Sequence, residues 1–128
     1  MGKYEDPIKR RARNRAYYLR NVARESQRSR AKTQKLIAWV KSFLLDYLLK
    51  HPCVDCGEKD PIVLEFDHRD PKQKLFTMAE ARRAKKRPAD VKAEVEKCDV
   101  RCANCHRRRT VLQHASGEIP FGMPIRKI

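Results

Sequence analysis

The stretch KCDVRCANCHRRRT at residues 97–110 places a Cys-x2-Cys pair directly before a histidine and three arginines. Cys102 and Cys105 form the pair, and His106 follows at once. A pair with this spacing offers two thiolates to one metal ion, whereas a structural zinc site takes four ligands. The role of this stretch therefore depends on which other residues could share a metal with it.

A second Cys-x2-Cys pair lies upstream in CVDCG at residues 53–57, with 45 residues between the two pairs. Four thiolates suit a tetrahedral structural zinc site, and binding of the metal contributes directly to folding. A thioredoxin-like redox pair is the alternative, but it needs only one such motif within a βαβ context. The two pairs together predict a zinc site whose ligands are Cys53, Cys56, Cys102 and Cys105.

The fifth cysteine, Cys98, stands four residues before Cys102. It could replace a member of the ligand set, but a buried thiol that behaves as a small apolar side chain is the favoured interpretation.

Length and charge limit the possible functions. The chain has 128 residues, a formal net charge of +15 and a pI near 10.0, which suits one compact domain with an extension and favours a polyanionic partner. No apolar run is long enough to span a membrane, and the N-terminus lacks an apolar signal core. We expect a cytoplasmic protein with no membrane partner, not secreted, associated with the nucleoid or acting in an infected host cell. In that reducing compartment the cysteines are expected to bind metal rather than form disulfides.

The positive charge is concentrated in the N-terminal part of the chain. Residues 1–50 carry 14 Lys and Arg against 4 Asp and Glu, and residues 9–35, the basic arm, hold 11 basic residues and one acid. No Gly or Pro interrupts this arm, which predicts a long exposed helix. A solvated charged helix is the simpler interpretation, but its like charges repel and lack i,i+4 partners. Binding to a nucleic-acid backbone is therefore favoured, with the candidate residues Arg10, Arg11, Arg13, Arg15 and Arg20.

Residues 36–50, LIAWVKSFLLDYLLK, form a strongly apolar segment of helical period. Its apolar stripe is wider than one small domain needs to cover. The segment is either the main hydrophobic anchor of the fold or part of a homodimer interface.

The region between the cysteine pairs reads as a strand over 62–66 that ends in Asp67 and His68. A short strand near 75–78, a basic loop through Lys86 and a helix over about 88–97 should follow, and another helix should start near Asn104. A zinc site that joins the two cysteine pairs is expected to bring Asp67, His68 and His106 together.

The segments CVDCGEKDPIVLEFDHRDP and KCDVRCANCHRRRT together resemble the HNH endonucleases, in the subgroup held by two Cys-x2-Cys pairs, over roughly residues 51–112. The resemblance implies a ββα-metal core with one catalytic divalent cation, Mg²⁺ or Mn²⁺ or another. It makes His68 the general base, and Asp67 and His106 the ligands of that cation. The middle Asn of the family falls on Lys97 here, so Asn104 is a candidate for a supporting role. Phosphate is expected to face Arg107, Arg108 and Arg109.

These observations predict an α+β fold: a small ββα-metal (HNH) core held by a four-cysteine zinc site, after a long basic helical extension. The predicted divisions are 1–50 for the extension and apolar helix, 51–112 for the nuclease domain, and 113–128 for a C-terminal tail. The expected function is hydrolysis of phosphodiester bonds in DNA, most readily double-stranded DNA, by nicking or double-strand cleavage. A non-catalytic zinc-ribbon DNA-binding module, or a nuclease subunit of a larger nucleoprotein assembly, is the alternative, and RNA is a third possible target.

Overall fold

The computed structural model describes residues 6–113. Along the chain these form α1 (Pro7–Lys50), β1 (Leu64–His68), a 3-10 turn (Pro71–Gln73), α2 (Met78–Ala81), α3 (Pro88–Val95), β2 (Cys98–Cys102) and α4 (Ala103–Gln113). The chain divides into two units, 1–35 and 36–128, so that the apolar end of α1 belongs to the second unit. The predicted tail at 113–128 lies, beyond Gln113, outside the described residues.

The first unit contains the basic arm, and the predicted long helix is confirmed there. Asp6 stands just before the helix and accepts a hydrogen bond from the Ile8 amide at 2.9 Å. Pro7 follows at the first helical position. A backbone N–H there has no intrahelical acceptor, so its absence in proline costs no hydrogen bond. Almost every side chain of this helix up to Lys35 is exposed. The arm therefore buries too little apolar surface to form a core of its own.

The second unit is a small α+β fold, as predicted. Its main core contains two buried residues of α1, Val40 and Leu44, packed against residues of α2, α3 and the loop before α2. A second cluster gathers three of the four paired cysteines around Leu64 and Val100. Tyr47 and Phe66 contact both clusters. The apolar end of α1 is thus the hydrophobic anchor of the fold.

The sheet has two antiparallel strands, in which Leu64 pairs with Cys102 and His68 with Cys98. The predicted first strand lies two residues further along the chain than expected. Asp60 explains the shift, because its side chain accepts from the Ile62 amide at 2.9 Å and its carbonyl from the Val63 amide at 3.2 Å. These bonds hold the residues before Leu64 in a turn.

The predicted strand at 75–78 is wrong. Thr77 caps α2 instead: its hydroxyl accepts from the Glu80 amide at 3.0 Å, and the Glu80 carboxylate accepts from the Thr77 amide at 2.6 Å. This reciprocal capping box fixes a helix start. The helix expected over 88–97 is present and ends earlier, at Val95. Among the residues that the structure describes, no helix is long and apolar enough to cross a membrane.

The core position of Leu44 gives a stability prediction. Leu44→Ala should lower the free energy of unfolding of the second unit by about 3 kcal/mol, because it leaves a cavity in a packed core. Leu49→Ala on the same helix, where the side chain is 60% exposed, is the matched control and should change little. Urea unfolding followed by the fluorescence of Trp39, the only tryptophan, measures both. Equal losses of unfolding free energy in the two variants would contradict the core position of Leu44.

Candidate functional site

The first cysteine pair lies in a tight loop. The Gly57 amide donates to the Cys53 carbonyl at 2.9 Å, and the Cys53 amide donates to the Glu58 carbonyl at 2.8 Å. Gly57 has a φ of 77°, a left-handed conformation that glycine adopts without steric cost. This backbone turn brings both thiols of the pair to the same side.

The second cysteine pair lies where β2 passes into α4. The Cys102 sulfur accepts from the Cys105 amide at 3.5 Å, which caps the first turn of the helix. Backbone hydrogen bonds from Val54 to Val100, at 3.0 Å, and from Ala103 to Val63, at 2.9 Å, join this region to the first loop and to the start of β1.

The four thiols converge in one group, the zinc cluster. Their sulfur atoms all lie within 4.8 Å of one another, and the Cys56 and Cys102 sulfurs are 3.7 Å apart. Four sulfurs at about 2.3 Å from a tetrahedral zinc ion are about 3.8 Å apart. The predicted ligand set is therefore confirmed as a cluster that can hold a metal ion such as zinc. It is the only group of three or more potential ligands found within residues 6–113.

The thiols of the cluster differ in their pKa values. Burial disfavours the Cys53 thiolate, but hydrogen bonds from the Cys102, Cys56 and Asp55 backbone outweigh this and lower its pKa to about 6. Burial and the neighbouring thiols raise the pKa of Cys105 to about 12. Binding of a divalent cation favours the thiolate form of all four ligands.

Cys98 lies outside the cluster, buried as predicted, and its thiol donates to the Glu94 carbonyl at 3.4 Å. Burial raises its pKa to about 11. It therefore provides a matched control for the ligand cysteines.

We expect the purified protein to carry about one tightly held zinc ion per chain. Cys53→Ser should lose the zinc and the folded core of the second unit, because the metal joins the two loops. Cys98→Ser, at a similarly buried position, should keep both. Elemental analysis together with Trp39 fluorescence tests this, and a well-folded wild-type protein that lacks metal would contradict it.

Asp67 and His106 lie beside each other, and we call them the metal pair. The distance from Asp67 Oδ1 to His106 Nε2 is 3.4 Å. His106 Nδ1 lies 2.6 Å from Glu65 Oε2, and because a carboxylate only accepts, Nδ1 carries the hydrogen. In the neutral ring Nε2 then holds a lone pair, and it lies 3.4 Å from the Asp67 oxygen. Two such acceptors repel each other unless a proton or a metal cation lies between them.

The second oxygen of Asp67 is held by two arginines. Arg101 Nη1 donates to Oδ2 at 3.0 Å and Arg109 Nη1 at 2.5 Å. Because both guanidinium groups bind Oδ2, Oδ1 is the oxygen that remains towards His106. Arg101 also donates to Asp55 at 2.8 Å, in the loop between Cys53 and Cys56, and so connects the zinc cluster to Asp67.

His68 does not join the metal pair. Consecutive strand residues point to opposite faces, and His68 Nε2 lies 2.8 Å from Glu94 Oε1 of α3. The expectation that Asp67, His68 and His106 converge is therefore wrong for His68. Asp67 and His106 lie together, whereas His68 makes a separate, buried contact with Glu94.

The other candidate site residues lie on α4, and they differ in exposure. Asn104 is exposed in the first turn of α4, and the hydrogen-bond partner of His68 is Glu94 rather than Asn104. Arg107 and Arg108 are exposed. Arg109 instead points inwards and also donates to the carbonyls of His68, at 3.1 Å, and Arg69, at 2.9 Å.

Sequence reasoning missed Glu65, Glu94 and Arg101. Glu65 alternates with Asp67 along the strand, which already places both on one face. Glu94 stands three residues after Val91 and one before Val95, so that it is an acid on the apolar face of α3. Arg101 gave no signal beyond its position between two cysteines.

The basic arm presents one strongly charged face. At 100° per residue, eight of the 11 basic residues fall within an arc of about 140°, whereas Arg11, Arg15 and Arg30 fall outside it. We call this arc the basic face; its residues are Lys9, Arg10, Arg13, Arg20, Arg24, Arg28, Lys32 and Lys35. Three of the five predicted arm residues therefore lie on the face, and two do not.

Comparisons of the chain with protein-family models, with curated proteins and with solved structures found no match.

Proposed function

We propose that this protein is a metal-dependent nuclease of the HNH type that hydrolyses phosphodiester bonds of duplex DNA. The observation that carries the proposal is the metal pair, in which Asp67 Oδ1 and His106 Nε2 lie 3.4 Å apart. Glu65 on the far side of the imidazole has the place of the carboxylate that commonly orients a metal-binding histidine.

The pair fits a small divalent cation. Two neighbouring ligands of an octahedral Mg²⁺ ion, each at about 2.1 Å, are about 3 Å apart. The observed separation needs only a small movement to reach that value. Since the protein supplies just two ligands, the remaining positions stay open for water and phosphate oxygen, as phosphoryl chemistry requires.

The bound cation would neutralise the charge that develops on the phosphate during hydrolysis. In this proposal His68 is the base that removes a proton from the attacking water. Its ring lies on the other face of the strand from Asp67 and contacts Glu94 through Nε2, so Nδ1 is the nitrogen that must reach the water. The water oxygen forms a bond to phosphorus, the bond to the 3′ oxygen breaks, and that oxygen takes a proton from solvent. Arg107 and Arg108 are exposed in α4, beside His106, and their guanidinium groups suit phosphate oxygens.

Open surface beside His106 supports an extended substrate. Two clefts, of about 500 and 540 Å³, both border Glu65 and His106. Arg107 and Thr110 line the first, and Lys41 and Arg82 line the second. A nucleic-acid strand that passes His106 would meet a basic side chain in each cleft.

A specific observation favours a second candidate, a non-catalytic DNA-binding module. Arg101 and Arg109 already neutralise Asp67, as ion pairs do in a purely structural site. In that case the basic face binds DNA, and the metal pair is a salt-bridge cluster that holds α4 on the sheet.

A cleavage assay on supercoiled plasmid with added Mg²⁺ or Mn²⁺ separates the two functions. His68→Ala should slow cleavage by about 10²–10⁴-fold, the range for loss of a general base. His106→Ala should weaken metal binding, so that activity returns in part at higher metal concentration. His51→Ala, at an exposed histidine before the first cysteine pair, is the control and should cleave normally. No cleavage by zinc-loaded wild-type protein on any DNA would favour the binding module.

The arm allows a charge-matched test of DNA binding. Replacing Arg20, Arg24 and Arg28 on the basic face by Gln should reduce the slope of log affinity against log salt by about 2–3 units, because each phosphate contact contributes close to one unit. The control replaces Arg11, Arg15 and Arg30, outside the face, with the same loss of charge and equal helix propensity. It should change the slope by less than about one unit. Equal effects would mean that only net charge matters.

A further inference from the structure

Glu94 is a buried acid that the proposed chemistry has not yet used. It lies on α3, it is 1% exposed, and it is one of the largest fully buried side chains of the described residues. A carboxylate at such a position is strongly disfavoured unless several donors compensate for the lost water. The donors around its carboxylate therefore indicate its role.

Three donors surround the carboxylate. The Leu75 amide donates to Oε1 at 2.8 Å, and Lys97 Nζ donates to Oε2 at 2.8 Å. His68 Nε2 lies 2.8 Å from Oε1. Burial alone would raise the pKa of Glu94, but these contacts outweigh it and lower the pKa to about 2. Glu94 is thus ionised at neutral pH and carries no proton of its own.

The position of the hydrogen on His68 follows. An ionised carboxylate is only an acceptor, so the hydrogen in the contact must lie on Nε2. In the neutral imidazole the other nitrogen, Nδ1, then has the free lone pair. The backbone of His68 is held as well, because it pairs with Cys98 of β2 and the next amide, Arg69, donates to the Lys97 carbonyl at 3.0 Å.

We infer that Glu94 is the positioning residue of the nuclease: it holds the His68 ring through Nε2–H and leaves Nδ1 as the atom that accepts the proton from water. This inference rests on the proposed function. It also gives a role to the long connection between β1 and β2, because α3 brings an acid from that connection against the end of β1. Lys97, at the position where the resemblance expects an asparagine, contacts Glu94 rather than His68.

The first experiment needs no activity. In ¹H–¹⁵N spectra of the zinc-loaded wild-type protein, His68 should show an Nε2-bound proton that exchanges slowly with water. Glu94→Ala should lose this protected proton, and Glu94→Gln should keep it, since the amide oxygen still accepts. Lys97→Met removes the other charged partner of Glu94 and should leave the proton in place. A wild-type His68 that is neutral and protonated on Nδ1 would overturn the inference.

The second experiment uses cleavage kinetics. Glu94→Ala should lower kcat by about 10–100-fold, as loss of an orienting partner does. KM should change less than about twofold, because α3 lines neither of the two clefts beside His106. Glu94→Gln should recover most of kcat, and Lys97→Met should be close to wild type. Zinc content and Trp39 fluorescence identify any variant that fails to fold. In that case the ¹H–¹⁵N spectrum of the wild-type protein alone tests the inference about Glu94.

The two proposals fail on different signals. A wild-type protein that cuts no DNA ends the nuclease proposal, whereas the protected proton of His68 still reports whether Glu94 holds the ring. If the wild-type protein cuts DNA and folded Glu94→Ala keeps its kcat, the inference about Glu94 is wrong and the nuclease proposal stands.

Discussion

The second unit brings together four thiols, from the loop of the first cysteine pair and from the junction of β2 and α4, that lie 45 residues apart in the chain. In a domain of this size the apolar core alone gives limited stability, and a structural metal adds binding free energy directly to folding. The meeting of the two cysteine pairs also sets the position of α4. His106 follows Cys105 in the chain, so the position of the second cysteine pair fixes the start of α4 and the place of the imidazole.

Arg101 extends this constraint to the metal pair. Its side chain reaches Asp55, between the first two cysteines, and Asp67 at the far end of β1. Together with Arg109 it binds one oxygen of Asp67 and leaves the other beside His106. Ion pairs from Asp55 through Arg101 to Asp67 therefore join the loop of the first cysteine pair to the metal pair. Loss of zinc should therefore disturb both.

Some of this structure could be predicted from local patterns. The spacing of the cysteines indicated the zinc cluster, and the absence of Gly and Pro among the basic residues indicated the long helix. Thr77 and Glu80 form a capping box with the Thr-x-x-Glu pattern. This pattern predicts a helix start at the place where a strand was expected. The second strand was harder to predict, because Cys98–Cys102 reads as a loop until its pairing with Leu64–His68 is known. Glu94 was missed for the same reason, since its partner His68 is 26 residues away.

The central claim is that the metal pair binds a divalent cation in a fold held by zinc. The most direct measurement is a crystal of the zinc-loaded protein soaked in Mn²⁺, with anomalous maps recorded at the zinc and manganese edges. We predict a zinc peak among the four cysteine sulfurs and a separate manganese peak between Asp67 Oδ1 and His106 Nε2. A zinc peak with no manganese at Asp67 and His106, at Mn²⁺ concentrations that support cleavage, would contradict the account.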